Sequence, residues 1–148
     1  MPPTTATAAA NNLHLGIVGL GLIGGSLALA AKRAGWQVSA YNRTAASSTA
    51  AVNDGYIDCC VNRIGDLGNC DVIFLGVPVS TYDEILAELQ PVLSPRSIVT
   101  DGGSTKQDGI AAAKRQLGDL ACRFVAAHPI AGKEASGWTA ASADLFVN

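Results

Sequence analysis

The chain has 148 residues, of which 49% are hydrophobic, with a formal net charge of −2 and four cysteines. This length predicts one domain able to bury a core. There is no basic stripe of the kind a nucleic-acid partner needs, and no apolar run reaches the ~18 residues of a membrane span.

Residues 1–12 are Thr, Ala, Pro and Asn after the initial Met, with no charged head and no apolar centre. They read as a disordered leader, neither a secretory signal nor an arginine-rich transit peptide. The run 13–18 then predicts a strand and 26–34 a helix, with Gly19-Leu20-Gly21-Leu22-Ile23-Gly24 between them. Strand, GxGxxG and helix in this order form the context of a dinucleotide-binding turn. Gly19 permits the tight turn, Gly21 lets backbone approach a pyrophosphate, and Gly24 lets helix and strand pack closely. The helix N-terminus adds unpaired N–H groups and a positive dipole end. Leu22 and Ile23 count with the glycines as cofactor contacts.

Lys32-Arg33-Ala34-Gly35 closes the helix with basic residues and a glycine stop. Residues 37–41 predict a second strand, 45–53 a helix ended by Asp54-Gly55, and 58–61 a short strand. Residues 71–77 form a continuous apolar strand of the kind buried on both faces, ended by Pro78. Ile85, Leu86, Leu89 and Leu93 recur at helical spacing within 80–93. A strand over 97–100, a helix over 106–117 and a strand over 123–127 follow. Strands alternating with helices predict an α/β fold, a doubly wound parallel sheet of the Rossmann type. Its ligands bind outside the carboxyl ends of the strands.

Cys59, Cys60, Cys70 and Cys122 show no CxxC or metal spacing. Three flank or fill predicted strands, where a free thiol packs as a small hydrophobe. Cys59 and Cys60 are adjacent on a strand and point to opposite faces, which disfavours a disulfide. A reducing, cytoplasmic compartment is expected.

Cofactor choice is read at the end of the second strand, where NAD-binding domains usually place a carboxylate for the ribose 2′-hydroxyl. This chain has Tyr41-Asn42-Arg43-Thr44. Asn42 is neutral and Arg43 is a bidentate phosphate donor, so NADP is expected over NAD, with Thr44 and Ser47 as further donors to the phosphate. The competing reading of Arg43 is a solvated surface residue. Val77 and Pro78, at the end of the buried strand, complete the expected cofactor contacts.

Two segments at strand ends carry candidate chemistry: Asp101-Gly102-Gly103-Ser104-Thr105-Lys106 and the stretch from His128 to Gly137. Imidazole changes charge near neutral pH, so His128 can take a proton from a substrate hydroxyl as its carbon loses hydride. Taken alone, a strand-end histidine fits a structural role better. Ser104 and Lys106 suit helix capping and a solvated first turn as well as they suit a site. His14 opens the first strand and is given no function.

Taken together, the glycine turn with its continuation Gly25-Ser26-Leu27-Ala28, the segment 101–106, the stretch 128–137 and Asp144-Leu145-Phe146 resemble the prephenate/arogenate dehydrogenase family of tyrosine biosynthesis. The resemblance runs from residue 13 to 148. It implies NADP-dependent oxidative decarboxylation of a cyclohexadienol, with His128 bonded to the substrate 4-hydroxyl and Ser104 its polar neighbour. Ser104, Lys106, His128 and Glu134 then contact substrate, Glu134 at the pocket entrance.

Members of that family usually carry an apolar residue at or beside Gly103, a departure expected only to loosen the loop. They continue into a helical domain that dimerises and supplies a basic group for the substrate carboxylates. The resemblance therefore implies that this chain is the cofactor-binding half, a fragment with an exposed apolar surface near Leu145-Phe146-Val147. Two other readings compete: a reductase of the 3-hydroxyacid or imine reductase type, and a non-catalytic NADP-binding module.

Overall fold

The computed structural model describes residues 12–129 and 136–147. Six strands form one sheet in the order β3-β2-β1-β4-β5-β6, every neighbouring pair parallel. They are β1 (His14–Val18), β2 (Gln37–Tyr41), β3 (Cys59–Cys60), β4 (Val72–Leu75), β5 (Ile98–Asp101) and β6 (Phe124–Val125). Four α-helices connect them: α1 (Leu22–Arg33), α2 (Ala45–Asn53), α3 (Tyr82–Leu89) and α4 (Lys106–Leu117).

The alternation of strand side chains divides the core in two. Leu15, Ile17, Val38, Ala40 and Phe74 pack with Ala28 and Ala31 of α1 and Ala51 of α2. Val18, Ile73, Leu75 and Val99 pack with Ile85, Leu86 and Leu89 of α3 and Ala112, Ala113 and Leu117 of α4. Helices thus cover both sides of the central strands, which explains why β1 and β4 are apolar runs rather than alternating ones.

Several bounds differ from the sequence expectation, each for a physical reason. Helix α1 begins at Leu22 and takes Gly24 and Gly25 into its first turns. Helix propensity disfavours glycine there, but a Cβ at Gly25 would lie 3.0 Å from the Ala141 Cβ and 3.1 Å from the Trp138 Cβ. Close packing overrides propensity. The expected helix over 80–93 is α for Tyr82–Leu89 only, with 3-10 turns at Val79–Thr81 and Gln90–Val92. Pro91 lacks the N–H that α-helix would need, and Leu93 stands beyond the helix in extended conformation.

The thiols also depart from expectation. Only Cys70 is buried, and Cys59, Cys60 and Cys122 are exposed free cysteines. The short strand β3 lies at the sheet edge, where its neighbours cover little of it. His14 donates its backbone N–H to Asp71 at 2.8 Å, and its Nε2 lies 2.7 Å from the Ser39 hydroxyl. The first bond ties the start of β1 to the residue before β4, and the second ties it to the middle of β2.

Residues 136–147 fold back on α1. The Ser142 N–H donates to the Ser26 hydroxyl at 3.0 Å, and Trp138 meets the Tyr56 ring edge-on with centroids 4.9 Å apart. Of the expected apolar surface, Val147 is 69% exposed while Leu145 and Phe146 are half-buried. Residues 1–11 of the expected leader lie outside the described residues. Among the described residues, no helix is long and apolar enough to cross a membrane.

Candidate functional site

The strand order reverses direction between β1 and β4, and a crevice opens at such a reversal beyond the strands' carboxyl ends. Gly19 follows β1 with φ +94°, a conformation that side chains with a Cβ rarely adopt. Its N–H donates to the Tyr41 carbonyl at 2.9 Å, tying the turn to the end of β2. A Cβ on Gly19 would lie 2.6 Å from the Gly76 carbonyl oxygen, and one on Gly76 would lie 2.9 Å from the Gly19 carbonyl oxygen. The two glycines therefore let the ends of β1 and β4 close up.

Gly24 is equally constrained, since its Cβ would sit 2.5 Å from the Gly19 carbonyl oxygen and 3.3 Å from Ile17 Cγ2. Gly21 is different. It forms the N-cap of α1 with no side-chain cap bond, and a Cβ there would meet nothing within 4 Å. Leu22 and Ile23 begin the helix half-buried. At Gly102, past the end of β5, a Cβ would lie 3.8 Å from Ile23 Cγ2. The start of α1 and the end of β5 thus border the same crevice.

At the end of β2, Asn42 Oδ1 accepts the Leu20 N–H at 3.3 Å and its Nδ2 donates to the Thr44 carbonyl at 3.4 Å. Arg43 is exposed between two cavities. One, of about 210 Å³, is lined by Asn42, Arg43, Ala45, Ser48, Thr49 and Cys60 among others. The other, of about 280 Å³, includes Tyr41, Arg43, Ile64, Val77, Pro78 and Ile85. Thr44 is the exposed N-cap of α2, and its side chain makes no cap bond. Ser47 is half-buried in the first turn of that helix.

The ends of β5 and β6 bring the remaining candidates to this edge. Ser104 is exposed in the loop after β5, and Lys106 opens α4, also exposed. The N-cap of α4 is Thr105, which makes no side-chain cap bond, so capping does not occupy Ser104. His128 is exposed three residues past β6. Glu134 and the rest of 130–135 lie outside the described residues.

Between these loops lies a group to which the sequence reading gave no role of its own. Asp101 is 1% exposed at the end of β5. Its Oδ2 accepts the Tyr82 hydroxyl at 2.8 Å and the Gly103 N–H at 3.2 Å, and its Oδ1 accepts the Ala127 N–H at 3.0 Å. Burial, with the Asp101 carboxylate beside it, pushes the Tyr82 phenol well above the ordinary tyrosine range. Tyr82 sits three and four residues before Ile85 and Leu86, so its place on the buried face of α3 was legible. Its bond to the end of β5 was not.

Gly103 does more than loosen its loop. A Cβ there would fall 2.8 Å from the Tyr82 hydroxyl and 2.9 Å from Asp101 Oδ2, so a larger residue in this backbone would displace that bond. Gly76 was also passed over, although a glycine inside an apolar strand run is the usual sign of close backbone approach.

Comparison with known proteins fits this architecture. The family described as "Prephenate dehydrogenase, nucleotide-binding domain" matches residues 27–148. A prephenate dehydrogenase of Lactococcus lactis subsp. cremoris is 34% identical over 135 residues, covering 89% of this chain and 38% of the relative. The crystal structure of prephenate dehydrogenase from A. aeolicus in complex with hydroxyphenyl propionate and NAD+ superposes with a TM-score of 0.80 at 35% identity. That match covers 90% of this chain and 47% of the other. Synechocystis arogenate dehydrogenase gives a TM-score of 0.82 at 34% identity, over 92% of this chain and 48% of its own. The chain spans less than half the length of each of these three relatives. With the family pattern running through most of its length on a parallel sheet of this topology, the chain belongs to the prephenate dehydrogenase family and carries its nucleotide-binding domain.

Proposed function

We propose that this chain is the cofactor-binding half of an NADP-dependent dehydrogenase acting on prephenate or arogenate. The observation that carries the reading is the shared edge of the sheet. The glycine turn, Ser104 and His128 lie beyond the carboxyl ends of β1, β5 and β6, on one edge of the parallel sheet. The turn suits a dinucleotide because the space above Gly21 is open where a Cβ would intrude. Backbone N–H groups at Leu22 and Ile23 then face a pyrophosphate at the helix N-terminus, and Val77 and Pro78 wall the cavity beside Arg43.

A nicotinamide dinucleotide, when bound, takes up the hydride that leaves substrate C4. His128 accepts the proton of the 4-hydroxyl, which lets the oxygen become a carbonyl as that hydride departs. The C1–carboxylate bond then breaks, carbon dioxide leaves, and its electron pair completes the aromatic ring while the carbonyl oxygen regains a proton as a phenol. Ser104 holds the substrate oxygen or the imidazole by a hydrogen bond, with Lys106 adding positive charge nearby. Glu134 is assigned to the entrance of the substrate pocket. The substrate is a small molecule, and the complete enzyme is proposed to act as a homodimer in the cytoplasm.

NADP is favoured because no carboxylate stands at the end of β2 to repel a 2′-phosphate. Asn42 is already bonded to the turn, and Arg43 is exposed beside it with Thr44 and Ser47 close in sequence. Arg43→Ala is expected to weaken NADP binding about 10- to 150-fold, the equivalent of one charge-assisted hydrogen bond of roughly 1.5–3 kcal/mol. NAD binding should change by less than about threefold, because it lacks the phosphate that such a bond serves. Calorimetric titration of the chain with both cofactors checks this, and equal losses would remove Arg43 as the discriminating residue. Turnover of prephenate and arogenate, by the chain alone and joined to the C-terminal part of a relative, tests the activity. Cofactor binding with no turnover in the joined form would favour a non-catalytic module.

A further inference from the structure

We propose that Asp101 is a positioning residue that sets the spacing between the loops bearing Ser104 and His128. The inference rests on the reading that these two residues face the substrate.

Each oxygen of the carboxylate serves one loop. Oδ1 accepts the N–H of Ala127, the residue before His128, and Oδ2 accepts the N–H of Gly103, the residue before Ser104. The Tyr82 hydroxyl, fixed in the core on α3, donates to Oδ2 at 2.8 Å and so anchors the oxygen that serves the Gly103 loop. The β5–β6 ladder offers no alternative tether. Its register ends at Thr100 opposite Val125, leaving Ala126 and Ala127 beyond the paired strand. Asp101 takes over where the ladder stops.

Burial of a carboxylate costs free energy unless its oxygens are well bonded, and an apolar residue would fill the same space more cheaply. A group that accepts three hydrogen bonds from three different segments does what such a residue cannot. It converts the rigidity of the carboxylate into a fixed distance between two strand-end loops. Gly109 of α4 also passes close, since a Cβ there would be 3.4 Å from Asp101 Oδ2. The tie is therefore packed on the helix side as well.

The test uses the 148-residue chain, with amide hydrogen exchange and NMR titration by NADP+ on wild type, Asp101→Asn and Tyr82→Phe. In the wild type, the Ala127 and Gly103 amides should exchange at least about tenfold more slowly than free peptide, as one ordinary hydrogen bond requires. An Asn side chain puts an N–H donor against one of these donors. Asp101→Asn should therefore speed exchange at Ala127 or Gly103 about tenfold while β1 and β4 amides keep their protection. NADP+ should still shift the Gly19 and Gly21 amides of that variant with nearly unchanged affinity, but the response of the His128 ring should be lost. Tyr82→Phe should leave Ala127 protected and quicken Gly103.

A wild-type Ala127 amide exchanging at the free-peptide rate overturns the proposal. So does Asp101→Asn with wild-type protection and a wild-type His128 response. If Asp101→Asn does not fold, protection in the wild type and its pattern in Tyr82→Phe decide. A protected Ala127 beside a His128 ring that ignores NADP+ in the wild type would uphold the tie between the loops and defeat the functional reading instead.

Discussion

Gly24→Ala should destabilise the fold, whereas Gly21→Ala should leave the fold intact and weaken cofactor binding. The two positions belong to one motif, yet their surroundings are opposite. At Gly24 a Cβ would sit 2.5 Å from the carbonyl oxygen of Gly19. That oxygen belongs to a turn already held by the Gly19–Tyr41 hydrogen bond and pressed against Gly76, so it has little room to yield. Overpacking of this kind costs ~1–3 kcal/mol, offset by up to ~1 kcal/mol of helix propensity gained by alanine. A net loss of about 1–2 kcal/mol lowers the melting temperature by roughly 2–8 °C in a domain of this size.

At Gly21 the added methyl meets no protein atom within 4 Å, and φ is −119°, which any residue adopts. Melting should stay within about 1 °C of wild type, since surface changes away from special features are usually nearly neutral. The methyl instead occupies the space through which a pyrophosphate would approach the helix N-terminus. Losing one charge-assisted hydrogen bond there costs about tenfold or more in affinity. Thermal melting by circular dichroism and titration with NADP+ and NAD+ read both effects on the same samples. A Gly21→Ala chain that binds both cofactors like wild type would remove the glycine turn from the proposed site.

What was legible in the sequence is what local pattern controls. The bounds of β2, α2 and α4 match the expectation, with α2 stopping before Asp54-Gly55 and α4 before Gly118. The glycine turn declared itself by spacing and context. What escaped depends on partners distant in sequence. The glycine at position 25 in the first turn of α1 is matched to Trp138 and Ala141, more than a hundred residues away. Asp101 was read only as part of the segment following a strand over 97–100, and only the fold makes it the last residue of β5 and brings Tyr82 and Ala127 to its two oxygens. Strand β6 was expected over 123–127, but pairing stops at Val125 because the next loop is held by that carboxylate rather than by a neighbouring strand. The exposed thiols of Cys59 and Cys60 were misjudged because burial at a sheet edge depends on what lies beside it, which composition does not reveal.

His128→Asn should lower turnover of the complete enzyme by about 10²- to 10⁴-fold, the usual contribution of a positioned general base. The amide of asparagine keeps a hydrogen-bonding group on a short polar side chain but cannot take up a proton at neutral pH. Binding of substrate and cofactor therefore survives while the 4-hydroxyl loses its acceptor. The proposed dinucleotide contacts lie on Gly19, Gly21 and the start of α1, on elements other than the β6 loop. NADP affinity should accordingly stay within about twofold of wild type, a change of less than roughly 0.4 kcal/mol. A fall in turnover at constant cofactor affinity assigns the loss to the chemical step, because an interaction made only in the transition state lowers kcat and kcat/KM together. The position of His128 explains why such a separation is possible. It is exposed three residues past a two-residue edge strand, outside both core clusters, so its replacement should leave melting unchanged. Turnover equal to wild type would show that another group, or solvent, receives the proton.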